Sequence, residues 1–124
     1  MSEHIKSQEN QSYRLAAQAR TRKKVKSFAE RKDRAWHLAR RAATLLKEEY
    51  GVKRVVLIGS LASGKGFHQR SDIDLVVWGL DEKKYYQAVG RLQGLNPEFE
   101  VDLIEAENAP PNILIVIERE GISL

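Results

Sequence analysis

The chain has 124 residues, of which 42% are hydrophobic, and its 21 Lys/Arg against 17 Asp/Glu give a net charge of +4. This length favours one domain and leaves no room for a catalytic domain together with a full substrate domain. The absence of cysteine excludes a disulfide framework and a thiolate zinc site. Because no apolar stretch is long enough for a membrane span and the N-terminus lacks the apolar run of a signal peptide, we expect a cytoplasmic protein.

The charge is unevenly distributed along the chain. Fifteen Lys/Arg and six Asp/Glu lie before Val55, whereas six Lys/Arg and eleven Asp/Glu lie from Val55 onward. The densest basic run, residues 20–26, contains no aromatic side chain that could stack on bases. We predict a basic helical arm over residues 1–30 and a globular domain over residues 31–124. For the basic run, a solvated helix face is the first interpretation, an acidic protein partner the second and nucleic acid the third.

Helical spacing predicts two helices in the first half of the chain. The first runs from Tyr13 to Ala29 with an imperfect apolar face. The second is expected to begin at Asp33 as its N-cap and to end at Gly51, and its apolar positions should pack on a sheet.

Two short apolar runs then flank the residues that carry the chemistry. Val55–Ile58 predicts a buried strand entering a tight turn at Gly59-Ser60, where backbone N–H groups can bind phosphate oxygens. The next strand begins with Asp72-Ile73-Asp74, whose two carboxylates share a face because strand side chains alternate. Such a pair facing a phosphate-binding turn is typical of a magnesium-nucleotide site.

The last third of the chain predicts a helix, a strand and a further helix. Asp81 can cap a helix that runs to about Gln93 and ends at Gly94. Residues 99–104 alternate apolar and acidic side chains, so that Asp102 becomes a third candidate carboxylate on a strand. A final helix is expected to open at Pro110-Pro111 and to run to Gly121.

Residues 55–77, VVLIGSLASGKGFHQRSDIDLVV, together with Asp102, resemble the core motif of the minimal nucleotidyltransferase (MNT) proteins of the DNA polymerase beta-like superfamily. The spacer between Gly-Ser and Asp-x-Asp is one residue longer than the commonest MNT spacer. The resemblance implies an α/β fold with a small mixed, mostly antiparallel sheet packed with helices, here with an extra N-terminal basic helix. It also implies that residues 31–124 form the nucleotidyltransferase domain.

The resemblance further implies the roles of the site residues. Asp72, Asp74 and Asp102 would be the catalytic and metal-binding carboxylates for two Mg²⁺ ions. The phosphates of the substrate ATP would be bound by a second set of residues, Gly59, Ser60, Ser63 and Lys65. Relatives of this size are similar to antitoxin partners of HEPN toxins, which implies transfer of AMP to a tyrosine of a HEPN-type partner.

Three alternatives remain open from the sequence. Residues 59–66, GSLASGKG, nearly match a Walker A loop, but Gly66 stands where that loop has a Ser or Thr hydroxyl. The chain could instead be a non-catalytic partner-binding module whose nucleotide site is only structural. It could also modify a small molecule, although enzymes of that kind carry additional substrate-binding sequence.

Overall fold

The computed structural model describes residues 2–68 and 70–124, with side chains described from residue 10 onward. Its α-helices are α1 (Ser2–Tyr50), α2 (Ser60–Ser63), α3 (Tyr85–Gln93) and α4 (Pro111–Glu120). Its strands are β1 (Arg54–Ile58), β2 (Ile73–Trp78), β3 (Val101–Glu105) and β4 (Ile122–Ser123). From β1 onward the expected order of helices and strands is confirmed, and the two-residue strand β4 is an addition.

The first half of the chain forms one helix, so the prediction of two helices separated near Asp33 is wrong. Asp33 lies exposed within α1 and is not its N-cap. The physical reason is that residues 29–34, AERKDR, contain neither Gly nor Pro, and all but Asp33 are good helix formers. The expected end of the helix is confirmed, because Gly51 follows α1 with a left-handed φ of 64°.

The chain divides into two compact units, Met1–Arg31 and Lys32–Leu124. In the first unit, residues 10–30 of α1 are all exposed. The second unit contains the remainder of α1 and strands β1 to β4. Among the described residues, no helix is both long and apolar enough to cross a membrane.

The four strands form one mixed sheet in the order β3-β2-β1-β4. Strand β1 pairs antiparallel with β2 and with β4, whereas β2 pairs parallel with β3. The parallel pair requires a crossover connection, which α3 supplies. The predicted small, mostly antiparallel sheet is therefore confirmed.

Both faces of the central strands are buried. Val55 and Leu57 on β1 face the larger apolar cluster, which includes Leu38 and Leu46 of α1. Val56 of β1, with Ile58 and Val76, belongs to a smaller cluster on the opposite face, closed by Ile117 of α4. Because both faces are covered, these strands appear in the sequence as continuous apolar runs instead of alternating ones.

Two predicted helix boundaries near the sheet are confirmed by local contacts. The Asp81 carboxylate accepts a hydrogen bond from the Lys83 backbone N–H at 3.0 Å, and the 3₁₀ turn that it caps leads directly into α3. Helix α4 begins at Pro111 and is followed by Gly121. The Walker A alternative fails, because no helix starts directly after Lys65 in the described residues, where the next regular element is strand β2.

Candidate active site

The turn after β1 is shaped by Gly59. This residue has φ 86° and ψ −161°, a conformation that only glycine adopts readily. Helix α2 follows at once, and its buried Leu61 joins the larger core cluster. The N–H groups of a first helical turn have no acceptor within the helix, so the turn at Gly59-Ser60 can donate to an anion.

Asp74 lies against this turn. In the antiparallel pairing of β1 with β2, Asp74 is the partner of Ile58, the residue before Gly59. A Cβ atom placed on Gly59 would be only 2.5 Å from Oδ2 of Asp74. The turn therefore needs a glycine for two reasons, its backbone conformation and the carboxylate packed against it.

Asp102 is brought to the same place by the parallel strand pair. Asp74 and Asp102 are register partners on β2 and β3, which aligns their side chains on neighbouring strands. The backbone N–H of Ile73 donates to the carbonyl of Glu100 at 2.9 Å and begins this pairing. Asp102 is exposed whereas Asp74 is half-buried, so the pair has an inner and an outer carboxyl group.

Burial, together with the neighbouring carboxyl groups, changes the acidity of Asp74. Its pKa is raised from 3.8 to about 6, first by burial, then by the charge of Asp102, by a hydrogen bond with that side chain and by the charge of Asp72. Each cause disfavours the ionised form of Asp74. A bound cation would instead attract the ionised carboxylate, and so would lower the pKa of Asp74.

The donor set fits a magnesium ion. Among the described residues, no three His, Cys, Asp or Glu side chains lie close enough together to form a complete metal cage. Mg²⁺ does not need one, because it is commonly held by one or two carboxylates, with water and substrate phosphates completing the octahedron. Asp74 and Asp102 are in contact, and Asp72 is near enough for its charge to act on Asp74. The structure therefore joins two of the three predicted carboxylates directly and places the third nearby.

The other predicted phosphate-binding residues follow Gly59 around α2. Ser60 opens the helix, half-buried, and Lys65 lies exposed beyond its end. The Ser63 hydroxyl accepts a hydrogen bond from the Lys65 N–H at 3.2 Å, so it already contributes to the turn that closes α2. Among the described residues, Lys65 forms no hydrogen bond or ion pair with the carboxylates.

Two residues near the site were not identified from the sequence. The hydroxyl of Ser71, only 9% exposed, accepts a hydrogen bond from the His68 N–H at 2.8 Å, while the Ser71 N–H donates to the His68 carbonyl at 3.0 Å. These bonds fix the backbone immediately before Asp72. Lys32 of α1 brings its Nζ to 4.0 Å from the position of a Cβ on Gly64. The small polar residue before Asp72 was a signal for Ser71, whereas nothing in the local sequence pointed to Lys32.

Comparisons with known proteins agree with this fold. The family model described as "Polymerase beta, Nucleotidyltransferase" matches residues 41–124. No curated protein gave a significant match to the chain.

Several solved structures have a similar fold. A chain from a toxin-antitoxin structure with AMP-PNP is 22% identical, with a TM-score of 0.59, covering 68% of this chain and 70% of that one. A chain from the tri-AMPylated Shewanella oneidensis HEPN toxin in complex with MNT antitoxin is 18% identical, with a TM-score of 0.55, covering 72% and 70%. A chain from the toxin-antitoxin MntA-HepT is 18% identical, with a TM-score of 0.54, covering 71% and 69%. At these identities the likeness concerns the fold.

Proposed function

This chain belongs to the polymerase beta nucleotidyltransferase family, and on that basis we propose that it transfers AMP from ATP to a tyrosine hydroxyl of a HEPN-type partner and thereby acts as an antitoxin. The observation that carries the proposal is the contact of Asp74 with Asp102 beside the Gly59 turn. The names of two similar structures, a toxin-antitoxin with AMP-PNP and a tri-AMPylated HEPN toxin with its MNT antitoxin, support the nucleotide and the acceptor.

In the proposed reaction the turn and the carboxylates bind opposite ends of the triphosphate. Backbone N–H groups at Gly59 and Ser60 hold the β- and γ-phosphates, with Ser63 maintaining the turn and Lys65 adding a positive charge. Asp74 and Asp102, with Asp72 beside them, would hold Mg²⁺. Bound Mg²⁺ would neutralise phosphate charge and lower the pKa of the acceptor hydroxyl.

The burial difference between the two carboxyl groups suggests different roles. Asp74 is half-buried and is suited to hold a cation in a fixed position. Asp102 is exposed, so an acceptor from a partner protein can reach it, and it accepts the hydroxyl proton. The acceptor oxygen forms a bond to the α-phosphorus, the bond from that phosphorus to the bridging oxygen breaks, and pyrophosphate leaves.

The proposal is tested with a HEPN-type protein as acceptor. The two proteins are incubated with ATP and MgCl₂, and intact-mass spectrometry measures addition of AMP to the acceptor. We expect modification by the wild type and by Glu100→Gln, an exposed control two residues from Asp102, and none by Asp74→Asn. Equal modification by Asp74→Asn would refute the assigned site.

The same variant separates the catalytic proposal from the non-catalytic alternative. If Asp74→Asn still binds the partner and suppresses its toxicity as well as the wild type does, neutralisation comes from binding alone. If suppression is lost while binding persists, AMP transfer is the antitoxic step. Complex formation is measured by size-exclusion chromatography and suppression by growth of cells expressing both proteins.

A further inference from the structure

The N-terminal part of α1 is strongly basic. Residues 10–31 contain seven Lys/Arg and a single Asp/Glu. Residues 10–30, which carry six of these seven cations, are all exposed, so their charges are not used to stabilise a core, whereas Arg31 is half-buried. A net charge of +6 on 22 helical residues repels itself and is suited to a polyanionic partner.

The cations surround the helix. At about 100° per residue, the seven basic side chains leave no sector of the helix wider than roughly 80° without a cation. They are Arg14, Arg20, Arg22, Lys23, Lys24, Lys26 and Arg31. A flat acidic protein surface would meet only one side of such a helix and leave the other cations unpaired.

Apolar side chains in this segment do not form a docking stripe. Tyr13, Leu15, Val25 and Phe28 are between 40% and 74% exposed. At the same helical spacing they spread over roughly 200° of the circumference, far wider than the narrow seam by which one helix packs on another. The segment therefore lacks the apolar anchors that a helix-in-groove protein complex uses.

We propose that residues 10–31 of α1 bind duplex DNA by lying in its major groove, with phosphates on both walls neutralising cations on opposite sides of the helix. A B-form major groove is about 12 Å wide and admits an α-helix, whereas the deep groove of duplex RNA is too narrow. The run 20–26 has no aromatic side chain for stacking on single-stranded bases. The segment is about 33 Å long, close to one turn of the duplex.

Fluorescence anisotropy with the full chain and a labelled 24-base-pair DNA duplex tests the proposal across 50–200 mM salt. If about five phosphates are neutralised, the logarithm of the affinity falls with a slope of about −4.5 against log salt. The affinity then drops by about 500-fold over this range. Duplex RNA and single-stranded DNA of the same length should bind at least tenfold more weakly.

Charge-matched variants decide whether this segment is responsible. Replacing Arg20, Lys23, Lys24 and Lys26 with Gln keeps good helix formers and should lower affinity at 50 mM salt at least 100-fold. Replacing four exposed cations of the other unit, Lys53, Lys83, Lys84 and Arg119, removes the same charge and should lower it less than tenfold. Circular dichroism verifies that each variant retains its helix content.

Three outcomes would overturn the proposal. In the first, the wild type does not bind duplex DNA at 50 mM salt. In the second, the two variants lose the same DNA affinity. In the third, duplex RNA or single-stranded DNA binds as tightly as duplex DNA. Retention of a partner protein by the wild type but not by the first variant, without DNA binding, would assign the segment to an acidic protein surface instead.

Discussion

Replacing Asp74 with Asn should make the protein more stable while removing its activity. In the folded state the pKa of Asp74 is raised from 3.8 to about 6 by burial, by Asp102 and by Asp72. A shift of this size corresponds to about 3 kcal/mol. Because the carboxyl group is only half-buried, screening by water reduces the penalty to about 1–2 kcal/mol. Asparagine has similar shape and no charge, so Asp74→Asn recovers this free energy.

The sign of the effect gives it a characteristic pH dependence. Below pH 3.8 the carboxyl group is protonated in both folded and unfolded chains, and the substitution has no electrostatic effect. Between pH 3.8 and about 6 the folded protein retains a proton that the unfolded chain has lost, so wild-type stability falls as the pH rises. Above about pH 6 the full penalty applies. The advantage of Asp74→Asn should therefore grow across this window and then remain constant.

Thermal unfolding followed by circular dichroism measures both effects. For a domain of 60–100 residues, 1 kcal/mol corresponds to about 4–8 °C in Tm. We expect Asp74→Asn to unfold about 5–10 °C above the wild type at pH 7.5 and within about 2 °C of it at pH 4. Glu100→Gln, which removes an exposed carboxylate near Asp102, should stay within about 2 °C of the wild type at both pH values. Magnesium should raise the Tm of the wild type and leave that of Asp74→Asn unchanged.

Equal melting temperatures of the wild type and Asp74→Asn at pH 7.5 would refute the reasoning. So would a gain in Tm that is the same at pH 4 and pH 7.5, because a packing effect does not follow the titration of a carboxyl group. If magnesium raised the Tm of both the wild type and Asp74→Asn, the cation would bind at a site that does not include Asp74.

Three further predictions concern the same site. Gly59→Ala should lower the free energy of unfolding in urea by about 2–4 kcal/mol, because Gly59 has a backbone conformation reserved for glycine and its added Cβ would lie 2.5 Å from Asp74. The control Gly51→Ala, also at positive φ but with open space around it, should lower it by only about 1–2 kcal/mol. Equal losses in the two variants would contradict the close approach of Gly59 to Asp74. Asp72→Asn should abolish AMP transfer but shift Tm less than Asp74→Asn does, since Asp72 is the smallest of the causes that raise the pKa of Asp74. Full activity of Asp72→Asn would exclude Asp72 from the active site. Calorimetry should detect ATP binding in MgCl₂ and at least tenfold weaker binding in EDTA; unchanged affinity would exclude a metal-bridged triphosphate.

The sequence predicted the strands of the site because their pattern is local. A β-branched run ending at Gly59, the alternation around Asp102 and the pair Asp72 and Asp74 each depend on residues that are neighbours in the chain. The contact of Asp74 with Asp102 depends on a parallel register between strands separated by a helix, and no local pattern specifies that register. The raised pKa of Asp74 follows from its burial and from this contact, and neither is specified by a local pattern.

The prediction of a helix break at Asp33 failed for a related reason. Asp is favoured as an N-cap. It is also tolerated on an exposed face of a long helix when no preceding residue ends that helix. Residues 29–32 provide no such stop. Strand β4 was missed because two residues are too few for a periodic signal, and its pairing with β1 depends on where α4 ends.

The register of β2 and β3 determines which kinds of length change this family member can tolerate. The alignment of Asp74 with Asp102 is maintained by backbone hydrogen bonds, so segments outside the strands, such as residues 94–98 before β3, can gain or lose residues without disturbing it. A one-residue insertion within β3 ahead of Asp102 instead turns that carboxylate toward the opposite face of the sheet. Evolution can therefore remodel the surroundings of the site through insertions and deletions in its loops, whereas the strands that carry the carboxylates can change by substitution alone.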